Sequence, residues 1–244
     1  MTKLLLCIAV ILITGFGLYY YKGKESLSII KKPHDPIKTQ MIPSDEIRYI
    51  PIGDSYTIGA GIDPSRNYPS LLTTHLKEQG YNITLLANPA VSGYSTQDAI
   101  ATELSVFEQL NPNFATILLG ANDIAQGISS ITFKNNLIVL FDRMLAKLGN
   151  KRLLVLTIPD FSITSYGKQN NYRGNIALAI SERNNIIKQE AQSRGLKVVN
   201  LFELSQEMEN DQTLILDDGL HPSAREYEKW EQKIFPVAVQ VLTQ

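Results

Sequence analysis

Short apolar runs alternate with longer amphipathic segments from Arg48 to the end of the chain, and this alternation is the strongest constraint on the fold. The apolar runs, which we predict to be β-strands, are residues 47–52, 83–87, 114–119, 153–158 and 196–201. The amphipathic segments, which we predict to be helices, are residues 68–79, 96–110, 133–148, 174–194 and 223–241. Strands separated by helices favour parallel β-α-β units with right-handed crossovers. The pattern therefore predicts an α/β fold in which helices cover both faces of one open parallel sheet.

The composition is typical of a globular protein and argues against several classes of function. Of the 244 residues, 44% are hydrophobic and 19% are charged. The formal net charge is -1 and the main body has no basic stripe interleaved with aromatic residues, so we expect no nucleic-acid partner. Cys7 is the only cysteine, which excludes an intrachain disulfide, a cysteine-based zinc site and a thiol nucleophile in the globular part.

The N-terminal residues 1–21 are predicted to be a membrane anchor or a signal segment. Residues 4–21 carry no charge and, as a helix, would extend about 27 Å, close to the thickness of a bilayer's hydrocarbon core. We favour an uncleaved anchor because no clear small-x-small cleavage site follows the run. The alternatives are a cleaved signal with secretion of the domain, and a buried core helix. Residues 22–47 are predicted to be a proline-containing stalk, and residues 48–244 the main domain.

The orientation of this N-terminal segment is open. Lys3 alone precedes the apolar run, whereas lysines follow it at positions 22, 24, 31 and 32. By the positive-inside rule this distribution favours a cytoplasmic main domain. The likeness of the segment to an export signal argues for the opposite orientation. We expect an extracytoplasmic domain, with the membrane as a partner through the N-terminal segment.

Polar clusters follow three of the predicted strands, and one more precedes the last helix. The clusters are Gly53-Asp54-Ser55, Ser92-Gly93, Gly120-Ala121-Asn122-Asp123, and Asp218 with His221. In an open α/β sheet the ligand crevice lies at the carboxyl ends of the strands, so we expect all four clusters to converge at that edge. Each cluster alone is ordinary turn chemistry. Four clusters in this order are much harder to explain as turns.

Ser55, His221 and a neighbouring carboxylate are a candidate nucleophile system. A serine hydroxyl is a poor nucleophile at neutral pH unless a base accepts its proton, and His221 is the candidate base. Asp218, three residues before His221, can accept the second imidazole N–H and fix the tautomer. Asp217 competes for the same role. The other two histidines lie in the predicted stalk and within a predicted helix, where a catalytic role is less expected.

Acyl transfer also requires hydrogen-bond donors at the place where negative charge develops on the substrate oxygen. The backbone N–H groups of Ser55 and Gly93 and the side-chain amide of Asn122 are the candidate donors. Glycine at position 93 lets the backbone approach a substrate closely. Tyr56 and Tyr94 are predicted to contact the substrate, and the loop 159–172 is predicted to border the site.

At these residues the chain resembles the SGNH hydrolases, also called GDSL-type esterases and lipases. The first family block is matched by Gly53-Asp54-Ser55-Tyr56, the second-block glycine by Gly93, the Gly-x-Asn-Asp block by Gly120-Ala121-Asn122-Asp123, and the Asp-x-x-His block by Asp218-Gly219-Leu220-His221. The resemblance extends from about residue 48 to the end of the chain. Tyr56 stands where many members have leucine. The Gly-x-Ser-x-Gly elbow of ordinary α/β-hydrolases is missing from the sequence.

The resemblance implies a three-layer α/β/α sandwich with a five-stranded parallel, flavodoxin-like sheet. It also implies a serine esterase that hydrolyses carboxylic esters, acyl or acetyl, through an acyl-enzyme, with Ser55, His221 and Asp218 as catalytic residues. Asp218 is preferred to Asp217 because its spacing matches the family block. Ser55, Gly93 and Asn122 would form the oxyanion hole.

The implied substrate is a small-molecule ester, with lipids and acylated glycans both open, and no metal or organic cofactor is implied. Two other functions compete with the esterase. The first is a membrane-tethered ligand-binding protein that keeps the fold without turnover. The second is a nucleotide- or flavin-binding module, for which Gly59-Ala60-Gly61 is too short a match to Gly-x-Gly-x-x-Gly.

Overall fold

A computed structural model describes residues 45–149, 152–170 and 175–244 of the chain. The predicted anchor or signal segment, residues 1–21, lies outside these residues, and so does the predicted stalk up to residue 44. Both therefore stay predictions. Within the described ranges, no helix combines the length and the apolar character needed to cross a membrane.

The strands form one parallel sheet of five strands in the order β2-β1-β3-β4-β5. The strands are β1 (Ile47–Gly53), β2 (Ile83–Leu85), β3 (Phe114–Leu118), β4 (Leu153–Leu156) and β5 (Lys197–Val199). The predicted five-stranded parallel sheet is therefore confirmed. The chain leaves β1 towards β2 on one side, and all later strands add on the other side. This order puts the topological switch point between β1 and β3, where ligands bind in sheets of this kind.

The helices cover both faces of the sheet, as the prediction of a three-layer α/β/α sandwich requires. They are α1 (Ser55–Ile58), α2 (Tyr68–Glu78), α3 (Thr96–Asp98), α4 (Leu104–Leu110), α5 (Ala121–Ala125), α6 (Ser130–Leu148), α7 (Ser165–Gln169), α8 (Ile176–Ser193), α9 (Leu201–Ser205) and α10 (Ala224–Leu242). One layer consists of α2 packed against α10, and the other of α4, α6 and α8 packed in that order. Short 3-10 turns cover Pro64–Arg66, Phe161–Ile163, Gln206–Glu209 and Gln212–Leu214.

One helix and one strand end differ from the sequence prediction. The predicted helix 96–110 is interrupted by a π-helical segment, Ala99–Glu103, between α3 and α4. The predicted strand 196–201 ends at Val199, and Leu201 instead begins α9. The turn into α9 is fixed by Thr157, whose hydroxyl accepts hydrogen bonds from the backbone N–H groups of Leu201 and Phe202. This contact between distant segments is not visible in local sequence.

The core lies between the sheet and the two helical layers. Strand β3 and strand β4 are buried at every position, because helices cover them on both faces. Helix α10 contributes the largest fully buried side chain, Trp230, and the neighbouring Tyr227. The hydroxyl of Tyr227 donates a 2.9 Å hydrogen bond to the backbone carbonyl of Tyr56 in α1. The last helix is thus bound directly to the segment that follows β1.

Removing this hydroxyl should destabilise the domain. We expect Tyr227→Phe to lower the free energy of unfolding by about 1–2 kcal/mol, because the buried carbonyl of Tyr56 loses its partner. Chemical denaturation of the two proteins measures the difference. Tyr81→Phe is the matched comparison, since Tyr81 is also buried but its hydroxyl has no hydrogen bond within the described residues. Equal losses in both variants would contradict a specific role for the Tyr227 hydroxyl.

Candidate active site

Ser55 is the first residue of α1 and lies directly beyond the carboxyl end of β1. Asp54 caps this helix, since its carboxylate accepts a 3.0 Å hydrogen bond from the backbone N–H of Tyr56. The close turn requires glycine at position 53, where a Cβ atom would lie 1.9 Å from Oγ1 of Thr57. Ser55 is 8% exposed, so little of its surface is open to solvent.

Asn122 lies at the equivalent place on the neighbouring strand, in α5 just after β3. Its side-chain amide donates hydrogen bonds to Oδ2 of Asp54 at 3.2 Å and to the carbonyl of Tyr94 at 3.0 Å. Ser55 and Asn122 share the wall of a small cavity of about 40 Å³. The structure therefore brings together the predicted nucleophile and the predicted side-chain oxyanion donor.

Gly93 and Tyr94 lie in the loop between β2 and α3 and contact α5 through their carbonyl groups. The side-chain amide of Gln126 donates a 3.0 Å hydrogen bond to the carbonyl of Gly93. Gly93 is exposed and has a φ of +88°, a conformation that favours glycine. Neither Gly93 nor Tyr94 is part of the wall of the small cavity. Their predicted roles as oxyanion donor and substrate contact stay predictions.

His221 lies in a tight loop that precedes α10. The backbone N–H of Leu216 donates to the carbonyl of His221 at 2.8 Å, which closes the loop. The Nδ1–H of His221 donates to Oδ2 of Asp218 at 2.6 Å, and the other carboxylate oxygen of Asp218 accepts from the backbone N–H groups of Leu220 and His221. Asp218, not Asp217, is therefore the carboxylate that is hydrogen-bonded to the imidazole.

The charge of Asp218 is stabilised by these contacts. Partial burial by itself raises the pKa of Asp218, but the hydrogen bonds from the His221 side chain and from two backbone N–H groups outweigh it and lower the pKa below its ordinary value. An ionised Asp218 can only accept hydrogen bonds, so the proton of a neutral His221 lies on Nδ1. Nε2 of His221 is then free to accept a proton.

His221 and Ser55 are brought to the same region by their neighbours. Leu220 lies in the wall of the small cavity with Ser55, and the His221 ring meets the Tyr56 ring edge-on at a centroid distance of 6.0 Å. No hydrogen bond joins the hydroxyl of Ser55 to His221 among the residues that the structure describes. Catalytic hydrogen bonds are often long in the absence of substrate and tighten when it binds.

Tyr56 follows Ser55 in α1 and is almost fully buried. The side chain is only 3% exposed and packs between His221 and Trp230, with a centroid distance of 6.0 Å to each ring. Tyr56 also contributes to the wall of the small cavity. Its packing supports the position of His221, while its predicted contact with substrate stays a prediction.

Three buried carboxyl groups below the site were not predicted as functional residues. Burial raises the pKa of Asp54 to about 7, and the charge of nearby Asp123 adds to the rise while the Tyr56 hydrogen bond opposes it. Burial also raises the pKa of Asp123, against hydrogen bonds from Thr96. Clusters of buried groups with raised pKa values are common at functional sites. The Asp residues belong to motifs found in the sequence, but their burial depends on the tertiary fold.

Glu103 is the third of these groups and lies in the π-helical segment. Its Oε2 accepts a 2.9 Å hydrogen bond from the backbone N–H of Gly53, two residues before Ser55, and its Oε1 has no partner within the described residues. Burial raises the pKa of Glu103 to about 8, with the charge of Asp54 acting in the same direction and the Gly53 bond opposing it. Glu103 is therefore mostly protonated at neutral pH. Nothing in its local sequence distinguishes it from an exposed helical glutamate.

A larger cavity, which we call the groove, adjoins the small one. Its volume is about 340 Å³, and it shares Ala125, Phe161 and Tyr166 with the wall of the small cavity. Its other wall residues come mainly from the segment after α5 and from the first half of α8. The predicted border loop, 159–172, contributes Phe161, Tyr166 and Asn170 to these walls. The space at Ser55 and Asn122 is therefore next to a cavity large enough for part of a ligand.

A parallel α/β/α sandwich with serine, asparagine and a histidine–aspartate pair at the carboxyl edge of its sheet defines a hydrolase-like class of protein. The sequence profile of the GDSL-like Lipase/Acylhydrolase family matches residues 52–229. The chain therefore belongs to this family, as the resemblance predicted.

Two curated relatives of the chain are named as esterases. An arylesterase of Vibrio mimicus is 28% identical over 118 residues, which is 48% of this chain and 56% of the relative. Esterase TesA of Pseudomonas aeruginosa is 26% identical over 108 residues, 44% of this chain and 53% of the relative. The chain thus spans about half the length of these curated relatives. A crystal structure of TesA superposes with a TM-score of 0.66 at 21% identity, covering 80% of this chain and 99% of that one, which shows a common fold.

The buried carboxyl groups should make stability depend on pH. The folded pKa of Glu103 exceeds its ordinary value, so the folded protein binds this proton more tightly than the unfolded chain. The free energy of unfolding should then fall as pH rises from the ordinary pKa towards 8. Glu103→Gln mimics the protonated group, and we expect it to reduce the loss of stability between about pH 5 and pH 8 by roughly 1–3 kcal/mol.

Denaturant titrations across this pH range test the effect. Glu108→Gln is the matched variant, since Glu108 lies in α4 close to Glu103 in sequence but its side chain is 39% exposed and paired with Arg143. We expect it to leave the pH dependence almost unchanged. If the free energy of unfolding of Glu103→Gln falls with pH as steeply as that of the unaltered protein, Glu103 is not the group that causes the pH dependence.

Proposed function

We propose that the protein is a serine esterase that hydrolyses carboxylic esters through an acyl-enzyme. The observation that carries the proposal is the shared cavity of Ser55 and Asn122 beside a His221 whose Nδ1 is bound to Asp218. The names of the two relatives, an arylesterase and an esterase, support ester hydrolysis as the activity.

In the proposed first step, the hydroxyl oxygen of Ser55 attacks the ester carbonyl carbon while Nε2 of His221 accepts the hydroxyl proton. Asp218 holds the tautomer that leaves Nε2 available and stabilises the imidazolium that forms. The tetrahedral intermediate then collapses, and His221 gives its proton to the departing alcohol. Water attacks the acyl group on Ser55 in the second half of the reaction, with His221 again as base, and the acid is released.

The negative oxygen of each tetrahedral intermediate would be held by the backbone N–H groups of Ser55 and Gly93 and by the amide of Asn122. Both amide hydrogens of Asn122 are engaged in the structure, one with Asp54 and one with Tyr94. The proposal therefore requires an exchange of partners. The bond to Asp54 is the longer of the two, and it weakens when Asp54 is protonated, so this bond is the one to be exchanged.

Replacing the nucleophile should abolish turnover without loss of the fold. We expect Ser55→Ala to lower kcat for p-nitrophenyl acetate by roughly 10⁴-fold or more, because no other group can form the acyl-enzyme. Ser193→Ala is the matched variant, since Ser193 is exposed at the far end of α8, and it should keep full activity. Labelling by a fluorophosphonate probe should require Ser55. An inert protein that binds esters without labelling would instead be a ligand-binding protein.

The two adjacent aspartates of the histidine loop should differ in their importance. Asp218→Asn removes the acceptor at Nδ1 and should lower kcat/KM by about 10³–10⁴-fold near pH 7. Asp217→Asn changes an exposed side chain and should alter kcat/KM by less than about threefold. Steady-state kinetics of both variants give the result. Similar losses of kcat/KM in the two variants would contradict the proposed role of Asp218 as the partner of His221.

A further inference from the structure

The groove beside Ser55 has mostly apolar walls and contains one buried cation. The apolar surface of its wall comes from Ile124, Ile128, Phe161, Ile176 and Ala179. Arg183, on α8, is the only wall residue with a charged side chain among those that the structure describes. The volume of 340 Å³ equals that of about eleven water molecules at roughly 30 Å³ each, so the groove holds a group of about ten non-hydrogen atoms.

The guanidinium of Arg183 is fixed in place but not fully used. Its side chain is 8% exposed. One terminal nitrogen donates to Oε2 of Glu182 at 2.8 Å and the other to the carbonyl of Ile128 at 2.7 Å. Phe133 lies under the guanidinium carbon, with the ring centroid 5.7 Å away. Nε has no hydrogen-bond partner among the described residues but is itself fully buried, so it does not face the groove. Each terminal nitrogen carries a second hydrogen.

Most of the other polar side chains of the groove wall are already committed to local structure. Ser129 and Asn175 cap α6 and α8, each accepting a hydrogen bond from a backbone N–H of its own helix. The amide of Asn170 donates to the carbonyl of Tyr166. Tyr166 is also a polar wall residue, but it is uncharged and its hydroxyl can both donate and accept. Arg183 is the charged residue of the described wall, and its unused hydrogen-bonding capacity consists of donors alone. Its best complement is a group with acceptor oxygens, and a charged oxygen group above all.

Glu182 and Asp123 are the carboxylates near Arg183. Glu182 is half exposed, so its effect on the guanidinium is screened by solvent. Asp123 is close enough for Arg183 to oppose the rise of its pKa, but burial still raises that pKa. Asp123 is also bound to Thr96 through both carboxylate oxygens. A buried cation beside an apolar space thus offers a favourable place for an anionic group.

We propose that the groove binds the acyl part of the substrate and that Arg183 selects acyl chains that end in an anionic oxygen group, such as the free carboxylate of a dicarboxylic half-ester. This inference rests on the proposed esterase function. The apolar walls would hold the methylene chain, while the carboxylate would accept hydrogen bonds from the remaining N–H groups of the two terminal nitrogens of Arg183.

Two esters with the same number of acyl carbons test the selection. p-Nitrophenyl hydrogen adipate and p-nitrophenyl hexanoate differ only in the terminal carboxylate. We expect the adipate ester to have the higher kcat/KM, by about 10-fold or more, as an ionic hydrogen bond in a buried site provides. Arg183→Met, which keeps the length and removes the charge, should lower the ratio of the two kcat/KM values by about 10- to 100-fold.

A purely structural role of Arg183 predicts a different result. Arg183 ties α8 to the segment after α5, and if it acts only in that way, Arg183→Met should slow both esters equally and leave the ratio unchanged. Arg143→Met is the matched variant, since Arg143 is half exposed in α6 and paired with Glu108. It should keep the ratio of the unaltered protein.

Binding measurements on the unaltered protein decide the inference even if the Arg183 variant does not fold. Isothermal titration calorimetry should show adipate binding about 10-fold or more tightly than hexanoate. If p-nitrophenyl acetate and the hexanoate ester are hydrolysed but neither kinetics nor calorimetry favours adipate, the anion selection is wrong and the esterase proposal stands. If no ester is hydrolysed but adipate binds selectively, the esterase proposal fails and the anion site stands.

Discussion

The pairing of β1 with β3 is the constraint on which the rest of the site depends. Gly53 and Leu118, near the ends of the two strands, are partners in the parallel register. Ser55 follows the first strand by two residues, and Asn122 follows the second by four. A parallel register brings both helix starts to the same edge, and the strand order places that edge at the switch point of the sheet. A shift of register would separate the hydroxyl from the amide.

The site is built over a layer of buried carboxyl groups. Asp54 holds the start of α1 and the amide of Asn122, and Glu103 holds the backbone of Gly53. These hydrogen bonds define the position of the segment that carries Ser55, but they place acidic groups where water cannot solvate their charge. The raised pKa values are the result. Precision at the site is therefore achieved at the expense of stability, which is a frequent compromise at functional sites.

Much of the fold followed from periodicity and turn residues. The five strands and the long helices were predicted with boundaries that differ from the structure by a few residues, because their burial produces regular apolar spacing. The short helices α1, α5, α7 and α9 were missed. They are too short to show a helical period, and α1 and α9 depend on contacts such as the capping of α1 by Asp54 and the hydroxyl of Thr157 at α9.

The sequence motifs predicted which polar residues form the site, but not the buried charged residues that surround it. The motif residues named Ser55, Asn122, Asp218 and His221, and the structure places the first two in one cavity and the last two in hydrogen-bond contact. Glu103 and Arg183 carried no local signal. A glutamate in a π-helical segment and an arginine in an amphipathic helix look like surface residues until the packing of other elements buries them.

The hydrogen bond from Tyr227 to the carbonyl of Tyr56 joins residues that are 171 positions apart. It connects the helix that follows the histidine loop to the helix that carries the serine. During synthesis, a growing chain can pair β1, β3 and β4 and form most of the sheet before α10 has left the ribosome. Ser55 and His221 can therefore come to the same region only after that last helix has docked, near the end of synthesis of the domain.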